Sequence, residues 1–156
     1  MIVDPGVVQE FLSHNRIVVV GASDDPKSFG GTIYRELRDH GYDVAAVNPA
    51  HDVVAGDPCY PTLGIVPHPI DGAIVMVNRD AALDVVAECV TLGIPRVWLF
   101  KGIGSAGAVS DAAVNMCHAH GIEVVPGACP LMFLEPVGSF HKVHRTFRHM
   151  NGSLVR

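Results

Sequence analysis

IVVVGASDDPKSFGG, residues 17–31, is the stretch from which the fold is read. Ile17, Val18, Val19 and Val20 run without a polar break, as a strand buried on both faces in the middle of a parallel sheet does. Gly21-Ala22-Ser23 follows, and Gly21, lacking a Cβ, allows a sharp turn and close approach to a ligand. Beyond Gly30-Gly31 the spacing predicts a helix over residues 29–40. Phe29, Ile33 and Leu37 share its apolar face, and Gly41 stops it. Strand, small-residue loop and helix N-terminus together make a cradle for phosphate, because free amides and the helix dipole converge there.

The rest of the chain repeats this unit. Asp4-Pro5 reads as an N-cap and first helical residue, followed by an apolar stripe of Val7, Val8, Phe11 and Leu12. Downstream, strands are expected at 44–47, 72–77, 96–100 and 122–125, with helices between them. Asn78 caps a helix bearing Ala82, Leu83, Val86 and Val90. A second helix, over 108–120, turns Val109, Ala112, Ala113, Met116 and Cys117 inward. Residues 50–70, with four prolines, read as irregular apart from a short edge strand at Cys59-Tyr60. Gly41, Gly93 and Gly121 each close a helix just before a strand. Such alternation predicts a Rossmann-like, doubly wound α/β fold. The expected form is a parallel sheet of about five or six strands in a three-layer αβα sandwich, binding ligands at the strands' carboxyl ends.

The 156 residues are expected to form one domain, with an N-terminal helical region (1–14) and a tail (136–156). A hydrophobic fraction of 49% against 17% charged excludes a disordered chain. No apolar run is long enough for a membrane span, and the first residues lack the pattern of a signal peptide, so a cytoplasmic location is expected. A net charge of −5 argues against a nucleic-acid binder. Cys59, Cys89, Cys117 and Cys129 show no metal spacing and are expected to be reduced and mostly buried.

The loop lacks G-x-G-x-x-G, and the second strand ends in Asn48-Pro49 rather than a carboxylate, which disfavours NAD. No G-K-[ST] stands for a P-loop. Lys27, Arg79 and Lys101 fall just after the carboxyl ends of strands and would give that rim a positive field. Arg16 and Arg96 sit at strand starts, on the far edge, where they are expected only to be solvated.

GASDDPKSFGGTIYREL (21–37), VAAVNP (44–49), CYPTL (59–63) and VNR (77–79) together resemble the small stand-alone CoA-binding proteins. They are also similar to the N-terminal domain of the succinyl-CoA synthetase α subunit. PGACP (126–130) resembles that domain's G-P-N-C-P turn, and the likeness spans about residues 12–135. The resemblance implies a coenzyme A or acyl-CoA ligand. It places Gly21, Ala22 and Ser23 at the phosphates, with Lys27, Ser28, Phe29 and Gly30 closing over them. Asn48 and Pro49 would border the adenosine end, near His51, which stands about where the synthetase offers a lysine. Val77, Asn78 and Arg79 would line the adenine and ribose, and Lys101, Gly102 and Ile103 the pantetheine path. Lys101 departs from the acidic or polar residue usual there.

The expected function is therefore a non-catalytic module that binds, senses or carries CoA. Neither a Ser-His-Asp set, nor paired carboxylates, nor a metal cluster can be picked out. An NAD(P)-dependent oxidoreductase and a protein acting through its tail are the alternatives. That tail, with Phe140, Val143, Phe147 and Met150 at helical spacing among His141, His144, His149 and several cations, predicts an amphipathic helix for the sheet, a second subunit or a partner. Cys129 is read as structural.

Overall fold

The computed structural model describes residues 3–102 and 107–134; Ile103 and the tail (136–156), with the amphipathic helix expected around Phe140–Met150, lie outside them. The elements run α1 (Pro5–Leu12), β1 (Arg16–Val20), α2 (Phe29–Asp39), β2 (Asp43–Val47), β3 (Val53–Val54), β4 (Asp57–Tyr60), β5 (Gly72–Val75), α3 (Arg79–Leu92), β6 (Arg96–Leu99), α4 (Asp111–Ala119) and β7 (Glu123–Pro126). Short 3-10 turns stand at Leu63–Ile65 and Pro130–Met132.

The sheet order is β3-β4-β2-β1-β5-β6-β7, parallel throughout except for the antiparallel β3–β4 pair. This is a Rossmann-like α/β fold. From β1 the chain first moves to one side, to β2, and then returns to the other, to β5. The carboxyl end of β1 is thus the point where the winding reverses, the place at which such sheets open a crevice. Val20 stands level with Val47 on one side and Val75 on the other, so the loops after β1, β2 and β5 emerge along one rim.

Alternation along the strands builds two cores. Val18, Val20, Ala45, Val47, Val75, Val97 and Leu99 face α3 and α4, whereas Ile17, Val19, Ala46, Ile74, Trp98 and Val125 face α1 and α2. Each valine, leucine and isoleucine so buried favours folding by about 1.5–3 kcal/mol. Trp98 anchors the second core, edge-on to Phe11 at 5.4 Å and to Phe133 at 5.9 Å, with its indole N–H donating to the Ala128 carbonyl at 3.1 Å.

Several expectations are corrected. Among the described residues the sheet has seven strands, because residues 50–70 contain the β3–β4 hairpin. That hairpin closes through Ala55 and Gly56, both at positive φ, a turn that no Asn-Gly or Asp-Gly pair announces. β4 is longer than Cys59-Tyr60 and lies inside β3 rather than at the edge. β5 ends at Val75, not 77, and β6 at Leu99. α4 begins only at Asp111, after Ser110 caps it, so Val109 precedes the helix and Ala112 faces solvent. α3 buries Val85 and Cys89 alongside Ala82 and Val86, leaving Leu83 and Val90 at the margin. Phe29 leaves the core face altogether, at 63% exposed. Arg16 and Arg96 are bonded rather than merely solvated: Arg16 pairs with Asp43 at 2.8 Å, and Arg96 donates to the Asp71 carbonyl at 3.2 Å.

Candidate ligand-binding site

Among the described residues, α1, α3 and α4 each begin with a side-chain cap: Asp4 accepts the Gly6 amide, Asn78 the Ala81 amide and Ser110 the Ala113 amide. At α2, Ser28 holds the N-cap position and makes no such bond. The first-turn amides of a helix have no partners within it, so those of α2 are left to whatever occupies the space in front. That space is a cleft of about 420 Å³ lined by Ser28, Phe29, Gly30, Met76, Val77, Asn78, Phe100 and Gly107.

Glycines make this geometry possible. A Cβ on Gly30 would run into the Gly21 carbonyl oxygen, and one on Gly31 into that of Ser23. The start of α2 therefore lies directly on the loop after β1. Ser23 is only 8% exposed; its hydroxyl accepts the Asp25 amide at 3.0 Å. Asn48 donates to the Ala22 carbonyl and accepts from the Ala50 amide, so it fastens the end of β2 to the loop.

Of the residues expected from the sequence, the cleft brings together Ser28, Phe29, Gly30, Val77 and Asn78. Gly21, Ala22 and Ser23 form the shelf on which α2 rests, and Asn48 supports it. Pro49 and His51 are not among the cleft-lining residues, and His51 is exposed; Gly102 is likewise not in the lining. Met76, Phe100 and Gly107 were missed. Met76 and Phe100 are the first residues past the ends of β5 and β6, and a strand end set two residues earlier would have exposed Met76 as rim. Phe29 and Phe100 approach across the mouth with ring centroids 6.3 Å apart.

The charges are distributed unevenly. Arg16, Arg35, Arg38 and Arg96 each sit in an ion pair. Lys27, Arg79 and Lys101 have no ion pair among the described residues, and each adjoins a cleft-lining residue: Ser28, Asn78 and Phe100. The three cations without an ion pair among the described residues thus each follow or precede, in sequence, a residue that lines the cleft at the uncapped helix start. Elsewhere on α2, Tyr34 and Arg38 both donate to Asp57 of β4, at 2.8 and 2.9 Å. Those two bonds, the tyrosine's first, hold the Asp57 carboxyl below the usual range, while burial and the same carboxylate raise the Tyr34 hydroxyl. Among the described residues no group of three His, Cys, Asp or Glu side chains could hold a metal ion, and no helix is long and apolar enough to cross a membrane.

Residues 15–135 match the family described as the CoA binding domain. The chain belongs to that family. This CoA-binding domain is 30% identical over 118 residues to an ADP-forming acetate–CoA ligase I of Archaeoglobus fulgidus, a match that covers 72% of the chain but only 17% of the ligase. It is 28% identical over 123 residues to the uncharacterized protein YneT of Bacillus subtilis, covering 78% of this chain and 87% of that one. A hypothetical protein from Pyrococcus horikoshii OT3 shares the fold, with a TM-score of 0.75 at 24% identity over 84% of this chain and 89% of the other. The alternative of an NAD(P)-dependent enzyme gains nothing from these relationships.

Proposed function

We propose that this chain is a single-domain binding module for coenzyme A or an acyl-CoA, held in the cleft at the carboxyl end of β1. The observation that carries the reading is an uncapped helix start opening on a cleft whose lining residues adjoin, in sequence, three cations unpaired among the described residues, in a chain of net charge −5. The diphosphate lies over residues 21–30, bonded by the first-turn amides of α2 and approached by Lys27. Val77, Asn78 and Arg79 line the adenosine side, with Asn48, Pro49 and His51 beyond. Lys101, Gly102 and Ile103 flank the pantetheine arm. The role is binding, sensing or delivery: the cleft offers helix-start amides to a diphosphate and apolar walls to the rest of the ligand. The ligase relative, in which the matched region is a small fraction, fits a module whose chemistry is supplied elsewhere.

Thermal melts with CoA, acetyl-CoA, NAD and NADP test this. CoA at a hundredfold excess over its Kd stabilises the folded state by about 2.7 kcal/mol, and the expected result is a clear rise in Tm with CoA or acetyl-CoA. Lys27→Ala, Arg79→Ala and Lys101→Ala each reduce that rise, more at low salt than at high. A shift with NADP and none with CoA transfers the site to the other ligand class.

A further inference from the structure

The loop that approaches the cleft contains two carboxylates, Asp24 and Asp25, where a phosphate-binding loop gains nothing from negative charge. Asp24 has a specific attachment. Its Oδ1 accepts the Ala55 amide at 2.9 Å and lies 3.7 Å from the Arg35 guanidinium on α2. Ala55 is in the turn of the β3–β4 hairpin, at φ +53, an orientation a non-glycine residue adopts at a cost. That orientation sends its N–H to the loop and its carbonyl to α2, where Arg38 donates at 2.8 Å. Arg38 also bonds Asp57 on β4, which Tyr34 of α2 bonds in turn. The hairpin is therefore gripped from two sides, by the loop through Asp24 and by the helix through Arg38 and Tyr34.

We infer that Asp24 is a positioning residue for anion binding: it buckles the loop at 21–28 to the β3–β4 hairpin. The inference rests on reading that loop as the phosphate cradle. Removing the tether lets the loop fray ahead of α2. Removing only the charge relieves repulsion of the diphosphate. The two effects have opposite signs, so they separate. Asp24→Asn keeps an oxygen for the Ala55 amide and sheds the charge. Asp24→Ala sheds both. Asp25 accepts the Lys27 amide within the loop and has no bond to the hairpin among the described residues, so Asp25→Asn is the matching control for charge.

The experiment measures CoA affinity by titration calorimetry and, without ligand, amide hydrogen exchange at Asp25, Lys27, Ser28 and Ala55, whose N–H groups are all bonded in or to this loop. Asp24→Ala is expected to weaken CoA binding about fivefold and to speed exchange at those amides, with β1 and β5 amides unchanged. Asp24→Asn and Asp25→Asn bind CoA at least as tightly as the parent. The inference is overturned if Asp24→Ala binds as tightly as Asp24→Asn, or if exchange in the loop does not change. A parent protein that fails to bind CoA removes the functional reading instead, and the exchange result alone then decides whether the buckle exists.

Discussion

Asn48 donates from Nδ2 to the Ala22 carbonyl at 3.0 Å while its Oδ1 receives the Ala50 amide, also at 3.0 Å. One amide side chain thus satisfies an acceptor of the loop after β1 and a donor of the turn after β2. Asn48→Asp keeps the second bond and sets a carboxylate against the Ala22 carbonyl. It is expected to cost about 1–3 kcal/mol of stability by denaturant unfolding, and to weaken CoA binding further by adding a negative charge near the cradle. Asn48→Ala, losing both bonds without the repulsion, costs less.

Gly31 is the tightest contact between α2 and the loop, since a side chain there would meet the Ser23 carbonyl oxygen, a backbone atom that cannot swing away. Gly31→Ala is expected to lower stability by roughly 2–4 kcal/mol and to abolish the Tm rise with CoA. Gly64→Ala is the control: nothing lies within 4 Å of its added carbon, and Tm should hardly change.

Asp57 titrates below an ordinary aspartate because Tyr34 and Arg38 bond its ionised form. A depressed folded value means a contribution to stability that is complete above about pH 3.9, the unfolded value, and disappears as pH falls through the folded one. Melts between about pH 6 and 2 should fall less steeply below about pH 4 for Asp57→Asn than for the parent. An identical acid limb in the two proteins would show that the bonds contribute no pH-dependent stability.

The thiols should react in a fixed order. Burial pushes Cys89 up to about 12 and Cys117 up to about 11, so neither supplies thiolate at neutral pH. Cys129 is partly exposed. Brief alkylation of the native protein, read by peptide mass, should modify Cys129 first and Cys89 and Cys117 only after unfolding.

The parallel sheet was legible because its strands are short aliphatic runs ended by small residues, and the unbroken run Ile17–Val20 admits little else. The glycines at 41, 93 and 121 marked helix ends for a backbone reason: all three lie at positive φ. The hairpin was not legible. Its two strands are short, Pro58 sits in one of them, and its turn places alanine, not asparagine, in the left-handed region. The cleft was half legible. Ser28, Gly30 and Asn78 follow from where strands stop and helices start, whereas helical spacing puts Phe29 on the core face and only the family resemblance puts it at the site, because spacing does not tell which face a first-turn residue takes. Phe100 was hidden by a strand boundary placed one residue too late.

The antiparallel β3 has a consequence at the flank of the molecule. It offers an intruding strand only two residues of strand backbone, Val53 and Val54, before a turn whose Ala55 is already bonded to Asp24 and Arg38. A longer outer strand would serve as a template for an eighth from another chain. Here that side ends in a stub too short to extend, and lateral growth is blocked by geometry rather than by charge.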